Sequence, residues 1–196
     1  MGTYVLIHGA FHGGWAWDKI TPLLEKEGHT VIAPDLPGHG NDKTPVADIT
    51  LQLYTDTVSR ILDAQTEPVI LVGHSLGGIS ISTAAEQRPD KVKTLVYLAA
   101  LLQRNGESGT DVMGTDTTSI APKFSKMSED GSVVWMELED YRNVSYNTCS
   151  DEVVAWAGPN LVPEPTKPMQ TPVTVTEANF GRIPRIYIET LQDKGV

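Results

Sequence analysis

The chain has 196 residues, 40% of them hydrophobic and 20% charged, with a formal net charge of −10. That length suits one sizeable core, and the composition excludes a fibrous or disordered chain. The acid excess argues against a nucleic-acid partner and leaves no basic stripe for an anionic membrane. Ten Asp/Glu against three Lys/Arg lie between Glu107 and Glu152, which reads as a solvated surface segment. The N-terminus passes straight into a strand pattern, Thr3 to Ile7, with no basic leader and no long apolar run. No signal peptide or membrane span is therefore expected. The single cysteine, Cys149, allows no internal disulfide, so a cytoplasmic protein is expected.

In chain order, apolar spacing predicts a helix over residues 17–28, stopped by Gly28, and a second strand over Thr30 to Ala33. Leu51, Tyr54, Val58, Ile61 and Leu62 share one face of a helix that starts after Thr50. Val69 to Val72 is continuously apolar, as in a strand covered on both faces. Residues 76–88 form the next helix, ended by Pro89, and Thr94 to Leu98 the fourth strand. This alternation calls for a mostly parallel sheet with helices on both faces. It breaks at Leu101. From there to about Gly181 the sequence is rich in Ser, Thr, Pro and Gly, with a helical patch over Val133 to Tyr141 and an extended Pro-rich stretch over Pro159 to Pro172. A structureless loop of that length does not suit a compact domain, so an inserted cap is expected. Ile183 to Glu189 returns to a strand pattern. The expected organisation is a core over 1–100, a cap over 101–181 and a return to the core over 182–196.

Gly73-His74-Ser75-Leu76-Gly77 lies between the third strand and the following helix. A strand that turns this sharply into a helix forces its central residue into strained angles and needs small neighbours, which is the nucleophile elbow of an α/β-hydrolase. The elbow would present the Ser75 hydroxyl at the positive end of the helix. Acyl transfer also needs donors for an oxyanion. The Leu76 N–H follows the nucleophile, and the glycine-rich loop His8-Gly9-Ala10-Phe11-His12-Gly13-Gly14 offers a second, assigned to Ala10. His8 and His12 border that loop and are read as shaping it. His74 is read as packing or hydrogen-bonding beneath the site, and His29 and His39 as turn residues without a role.

The run Ile7 to Trp17, the spacing to Pro22-Leu23-Leu24, Gly28-His29 and Asp35-Leu36, Val69 to Gly78 and Leu98-Ala99-Ala100 resemble the plant methylesterase and hydroxynitrile lyase family of α/β-hydrolases and its bacterial esterase relatives. The likeness covers residues 3–100 and resumes over 185–195, with a looser match in the cap. It implies the α/β-hydrolase fold and an acid just beyond the strand after the cap, where Asp193 stands. It also implies a histidine base further on, together with a last strand and helix. All five histidines lie at or before His74, so base, strand and helix are expected to be missing from these residues.

The resulting expectation is a serine carboxylesterase for small, largely apolar esters. Ser75 is the nucleophile, Asp193 the acid, and Ala10 and Leu76 supply the oxyanion N–H groups. The 196 residues are expected to be inactive unless a continuation or a second chain supplies the histidine. Phe11, His12, Trp135, Met136 and Trp156 are candidate pocket walls. A hydroxynitrile lyase and a noncatalytic small-molecule-binding relative remain alternatives. Lyase members usually carry a hydroxyl residue where Ala10 stands, which leans towards the esterase. No cofactor or metal is expected.

Overall fold

The computed structural model describes residues 1–195. β1 (Thr3–Ile7) leads through a 3₁₀ turn at Gly14–Trp17 to α1 (Thr21–Lys26), β2 (Thr30–Ile32), α2 (Leu51–Asp63), β3 (Val69–Ser75), α3 (Gly77–Gln87) and β4 (Val92–Ala100). The helix expected over 17–28 is shorter. Trp17 is buried at the end of the 3₁₀ turn, and Pro22 lies in the first turn of α1, where its missing N–H costs nothing. Thr50 caps α2, its hydroxyl accepting the Leu53 N–H at 3.1 Å.

Between β4 and β8 (Arg185–Ile188) come α4 (Gly109–Thr115), α5 (Ala121–Phe124), β5 (Lys126–Met127), β6 (Val133–Trp135), α6 (Leu138–Val144), α7 (Asp151–Ala157), β7 (Glu164–Pro165) and α8 (Thr166–Gln170). Two expectations for this region are corrected. The patch over Val133 to Tyr141 divides: β-branched Val133 and Val134 enter a strand, and helix begins only at Leu138. The Pro-rich stretch is not simply extended, because Pro168 sits in the first turn of α8, where its absent N–H has no helical acceptor to lose.

The main sheet is parallel in the order β2-β1-β3-β4-β8, and β5-β6-β7 form a small antiparallel sheet. Alternation along the parallel strands sorts two cores. Val5, Ile7, Leu71, Leu95 and Tyr97 face α2 and α3, packing with Tyr54, Val58, Leu62, Ile79 and Ile81. Leu6, Val72, Ile70, Val96 and Leu98 face the other side, with Trp17 and Leu24. β8 forms one edge, and its Ile186, Tyr187 and Ile188 are about half exposed.

The residues between β4 and β8 divide by packing. Val173, Val175, Phe180 and Ile183 join the main core beside α3. Met136, Tyr141 and Val144 instead form a separate cluster, to which Ile120, Phe124, Tyr146, Leu161 and Phe11 of the β1 loop add. Among the described residues no helix is long and apolar enough to cross a membrane.

The junction of β3 and α3 leaves no spare room. A Cβ on Gly77 would stand 2.6 Å from the His8 carbonyl oxygen and 2.8 Å from that of Ile7. Gly77→Ala is therefore expected to cost about 2–3 kcal/mol in urea denaturation. Gly114→Ala, in α4 with nothing within 4 Å, should change stability by less than about 1 kcal/mol.

Candidate active site

β3 ends at Ser75, whose φ of +49° is left-handed. A register shift falls between His74 and Ser75 as the strand leaves its partner β4. Only three non-glycine residues among those described have positive φ, namely Phe11 (+69°), Ser75 and Ala99 (+39°), and all three lie at the same end of the sheet. Strained backbone of this kind persists only where the surroundings impose it. At Ser75 the surroundings are the glycine-lined gap at α3 and the Leu101 N–H, which donates to the Ser75 carbonyl at 3.0 Å.

Ser75, Leu76, Ala10 and Phe11 line a cavity of about 570 Å³, a size that accepts a small organic ligand. Trp15, Trp17, Leu98, Met136 and Trp156 give it mainly apolar walls, and Lys19, Glu164 and Asp193 contribute charge. Neither the Ala10 nor the Leu76 N–H is spent on a protein acceptor among the described residues. Two backbone donors therefore remain available to an anionic oxygen beside a serine hydroxyl, an arrangement that can stabilise acyl transfer. Asp193 reaches the cavity from the turn after β8. Its carboxylate accepts from the Thr190 hydroxyl at 2.8 Å and from the Gly195 N–H at 2.7 Å.

The structure brings Phe11, His12, Met136 and Trp156 to this cavity, but not Trp135. Val134, its neighbour on β6, lines the cavity, and alternation turns Trp135 to the other face. His74 also departs from expectation: it lines the cavity rather than lying beneath it.

The partners of the histidines fix their protonation. His8 donates from Nδ1 to the Gly9 carbonyl at 2.8 Å, and its Nε2 accepts the Leu36 N–H at 3.0 Å, so the ring is neutral. His12 donates from Nδ1 to the Ala10 carbonyl at 2.6 Å and accepts the Tyr146 hydroxyl at Nε2, also at 2.6 Å. Burial pushes both pKa values down, in keeping with neutral rings. His74 is lowered to about 4, by burial first and by His12 second, with Asp193 opposing.

His39 behaves differently, and the reading of it as a bland turn residue is corrected. Its Nε2–H donates to Glu164 Oε2 at 2.8 Å and its Nδ1–H to the Pro37 carbonyl at 3.1 Å. Both ring nitrogens face acceptors, so both carry protons. Burial alone would lower this pKa, but the Glu164 carboxylate, helped by the Pro37 carbonyl and Asp35, more than offsets it and the net shift is upward. The pair is fully enclosed, each side chain 1% exposed. Glu164 had no motif to announce it. The one available signal was a lone acid held in extended backbone between Pro163 and Pro165. Among the described residues no group of three or more His, Cys, Asp or Glu is placed to hold a metal ion.

The sequence profile of the Alpha/beta hydrolase family matches residues 4–193. The chain belongs to that family. The hydrolase is 32% identical to salicylic acid-binding protein 2 of Nicotiana tabacum, over 98% of this chain and 80% of that protein. It is 36% identical to the pyrethroid hydrolase of Sphingobium wenxiniae, over 96% of this chain and 70% of that one. The crystal structure of polyneuridine aldehyde esterase superposes with a TM-score of 0.89 at 25% identity, over 99% of this hydrolase and 82% of that chain. The hydrolase spans about half the length of several longer chloroplastic relatives from Arabidopsis thaliana.

The histidine assignments give a signed pH dependence. His8, His12 and His74 have lowered folded pKa values, so as pH falls below about 6.5 the unfolded chain binds protons the folded one does not, and stability drops. His39 has the opposite sign: its contribution is present below about 6.5 and lost as pH rises through its raised folded pKa. NMR titration should find His74 flat between pH 8 and 5 and a His39 midpoint above 6.5. In urea denaturation, His74→Asn should reduce the stability lost between pH 7 and 5 by roughly 2 kcal/mol.

Proposed function

We propose that this hydrolase is a serine carboxylesterase for small, largely apolar esters. The observation that carries the reading is the strained Ser75 at the mouth of α3, facing an apolar cavity beside the unspent Ala10 and Leu76 N–H groups. In this scheme Ser75 Oγ attacks the ester carbonyl carbon while its proton passes to a histidine base. The carbonyl oxygen becomes an oxyanion held by the two N–H groups. Collapse breaks the bond to the alkoxy oxygen, which leaves as the alcohol with the proton from the histidine. Water then adds to the acyl-serine by the same route and releases the acid. Asp193 orients the base and stabilises its charged form.

The base is not found among the histidines present. None follows Ser75 in the sequence. The free form of His74 is a weak proton acceptor, its pKa being about 4, and the Nε2 of His12 is already occupied by the Tyr146 hydroxyl. The scheme therefore assigns the base to a histidine on further sequence or on a second chain, and it expects little turnover from these 196 residues alone. Among the relatives whose names describe an activity are a pyrethroid hydrolase and an esterase, which supports ester cleavage. The tryptophan-rich walls favour apolar acyl or alcohol groups. The cap over 101–181 covers the cavity in this reading and admits substrate.

A fluorophosphonate should phosphonylate Ser75 slowly in the 196-residue chain. Intact-protein and peptide mass spectrometry should find no adduct in Ser75→Ala. A version extended by a segment carrying the histidine should react roughly 10³-fold faster or more. Labelling that survives Ser75→Ala would sink the serine assignment. An extended chain that neither labels nor cleaves p-nitrophenyl esters would indicate a noncatalytic binding protein.

A further inference from the structure

Phe11 is held by the cap at every polar and apolar group it has. Its N–H donates to Glu164 Oε2 at 3.0 Å, and its carbonyl accepts the Val162 N–H at 3.0 Å. Its ring meets Tyr141 edge-on, with centroids 5.2 Å apart. The same residue has φ +69°, a conformation a bulky side chain adopts only under constraint. Ala10, immediately before it, lines the cavity, and its own N–H meets no protein acceptor among the described residues. The direction of that N–H depends on the turn that Phe11 makes. Were Phe11 to relax to negative φ, the loop would rotate and its N–H groups would re-aim.

The acceptor that fixes the turn is itself fixed. Glu164 is 1% exposed and comes from β7, between two prolines that limit its backbone. One of its oxygens is shared between Phe11 and His39. The Tyr54 hydroxyl approaches the other at 3.4 Å. His39 is anchored in turn by the Pro37 carbonyl, at 3.1 Å. A buried carboxylate with one charged partner and a backbone N–H is a rigid acceptor, because any displacement leaves charge unpaired in a low-dielectric interior.

We propose that Glu164 is a positioning residue for ester cleavage: from the cap, backed by His39, it takes the Phe11 N–H and so sets the left-handed turn that aims the Ala10 N–H at the oxyanion. Glu164 acts through Phe11 and touches no reacting atom. The inference rests on the serine-esterase reading above, so its test carries one readout that depends on catalysis and one that does not.

Amide hydrogen exchange by NMR reads the clasp directly. In Glu164→Ala the Phe11 amide should lose at least about tenfold of its protection, while Val5 and Leu6 of β1 keep theirs. Glu164→Gln should retain most of it, because a Gln carbonyl oxygen in the place of Oε2 can still accept from both the Phe11 N–H and the His39 Nε2–H, with the amide turned to the Tyr54 hydroxyl. Phe124→Ala, which weakens the cap cluster without touching the clasp, should lower Tm yet leave Phe11 protected. Unchanged Phe11 protection in Glu164→Ala, or equal loss in Phe124→Ala, would overturn the proposal.

The second readout is the rate of Ser75 phosphonylation. A misaimed donor should slow it about tenfold or more in Glu164→Ala, with recovery in Glu164→Gln, since losing an oxyanion donor outright costs about 10²–10³. If the unmutated chain labels at Ser75 and Glu164→Ala labels equally fast, the positioning role is refuted while the esterase reading stands. If Ser75 never labels, even in the chain extended by the histidine-bearing segment, but exchange follows the predicted order, the clasp is supported and the esterase reading is what fails.

Discussion

The approach of α3 to the end of β1 is the constraint on which the site depends. Ile7 and His8 present carbonyl oxygens to the first turn of the helix, and only a residue without Cβ fits at Gly77. That contact brings the helix N-terminus down onto the sheet. β3 can then reach the helix only through a residue in the left-handed region, which is Ser75. The strain at one serine is thus imposed by packing against the buried end of β1, at Ile7 and His8. It is held by the same apolar strands that make the fold stable, Val5, Ile7 and Leu71 among them.

A second constraint acts from the opposite side. The β1 loop leaves the core with three histidines near it, and each is held in one protonation state by its neighbours. His8 and His12 are neutral because each faces one acceptor and one donor. His39 is charged because it faces acceptors alone. The charged one ties the segment after β2 to Glu164 of β7, and the neutral ones brace the backbone of Gly9 and Ala10. Electrostatics and backbone geometry are therefore set together, by side chains that come from distant parts of the sequence.

Most of the core was legible in the sequence, because period and punctuation carry it. Short apolar runs bounded by turn residues marked β1, β3 and β4, and a one-faced apolar stripe capped by Thr50 marked α2. The elbow was legible because glycines at 73 and 77 have few other uses between a strand and a helix. The segment between β4 and β8 was poorly legible. Its elements are short, so propensity over three or four residues cannot distinguish strand from helix, and Val133 to Trp135 was misread for that reason. Trp135 failed as a pocket wall because a one-residue shift in a strand reverses its face. Glu164 and His39 were invisible for another reason. They lie 125 positions apart, and nothing in either local context announces a buried ion pair.

The divided packing of the residues between β4 and β8 bears on the cavity. The part that packs with Met136, Tyr141 and Val144 grips Phe11 directly, whereas the part after Val173 is welded to the core. If, as in the proposed esterase reading, the first part lifts to admit a ligand, it must also release Phe11, and with it the turn beside Ala10. Entry and activation then share one coordinate. In that reading an open molecule would be an idle one, its serine exposed to water without the donor geometry that the proposed scheme needs.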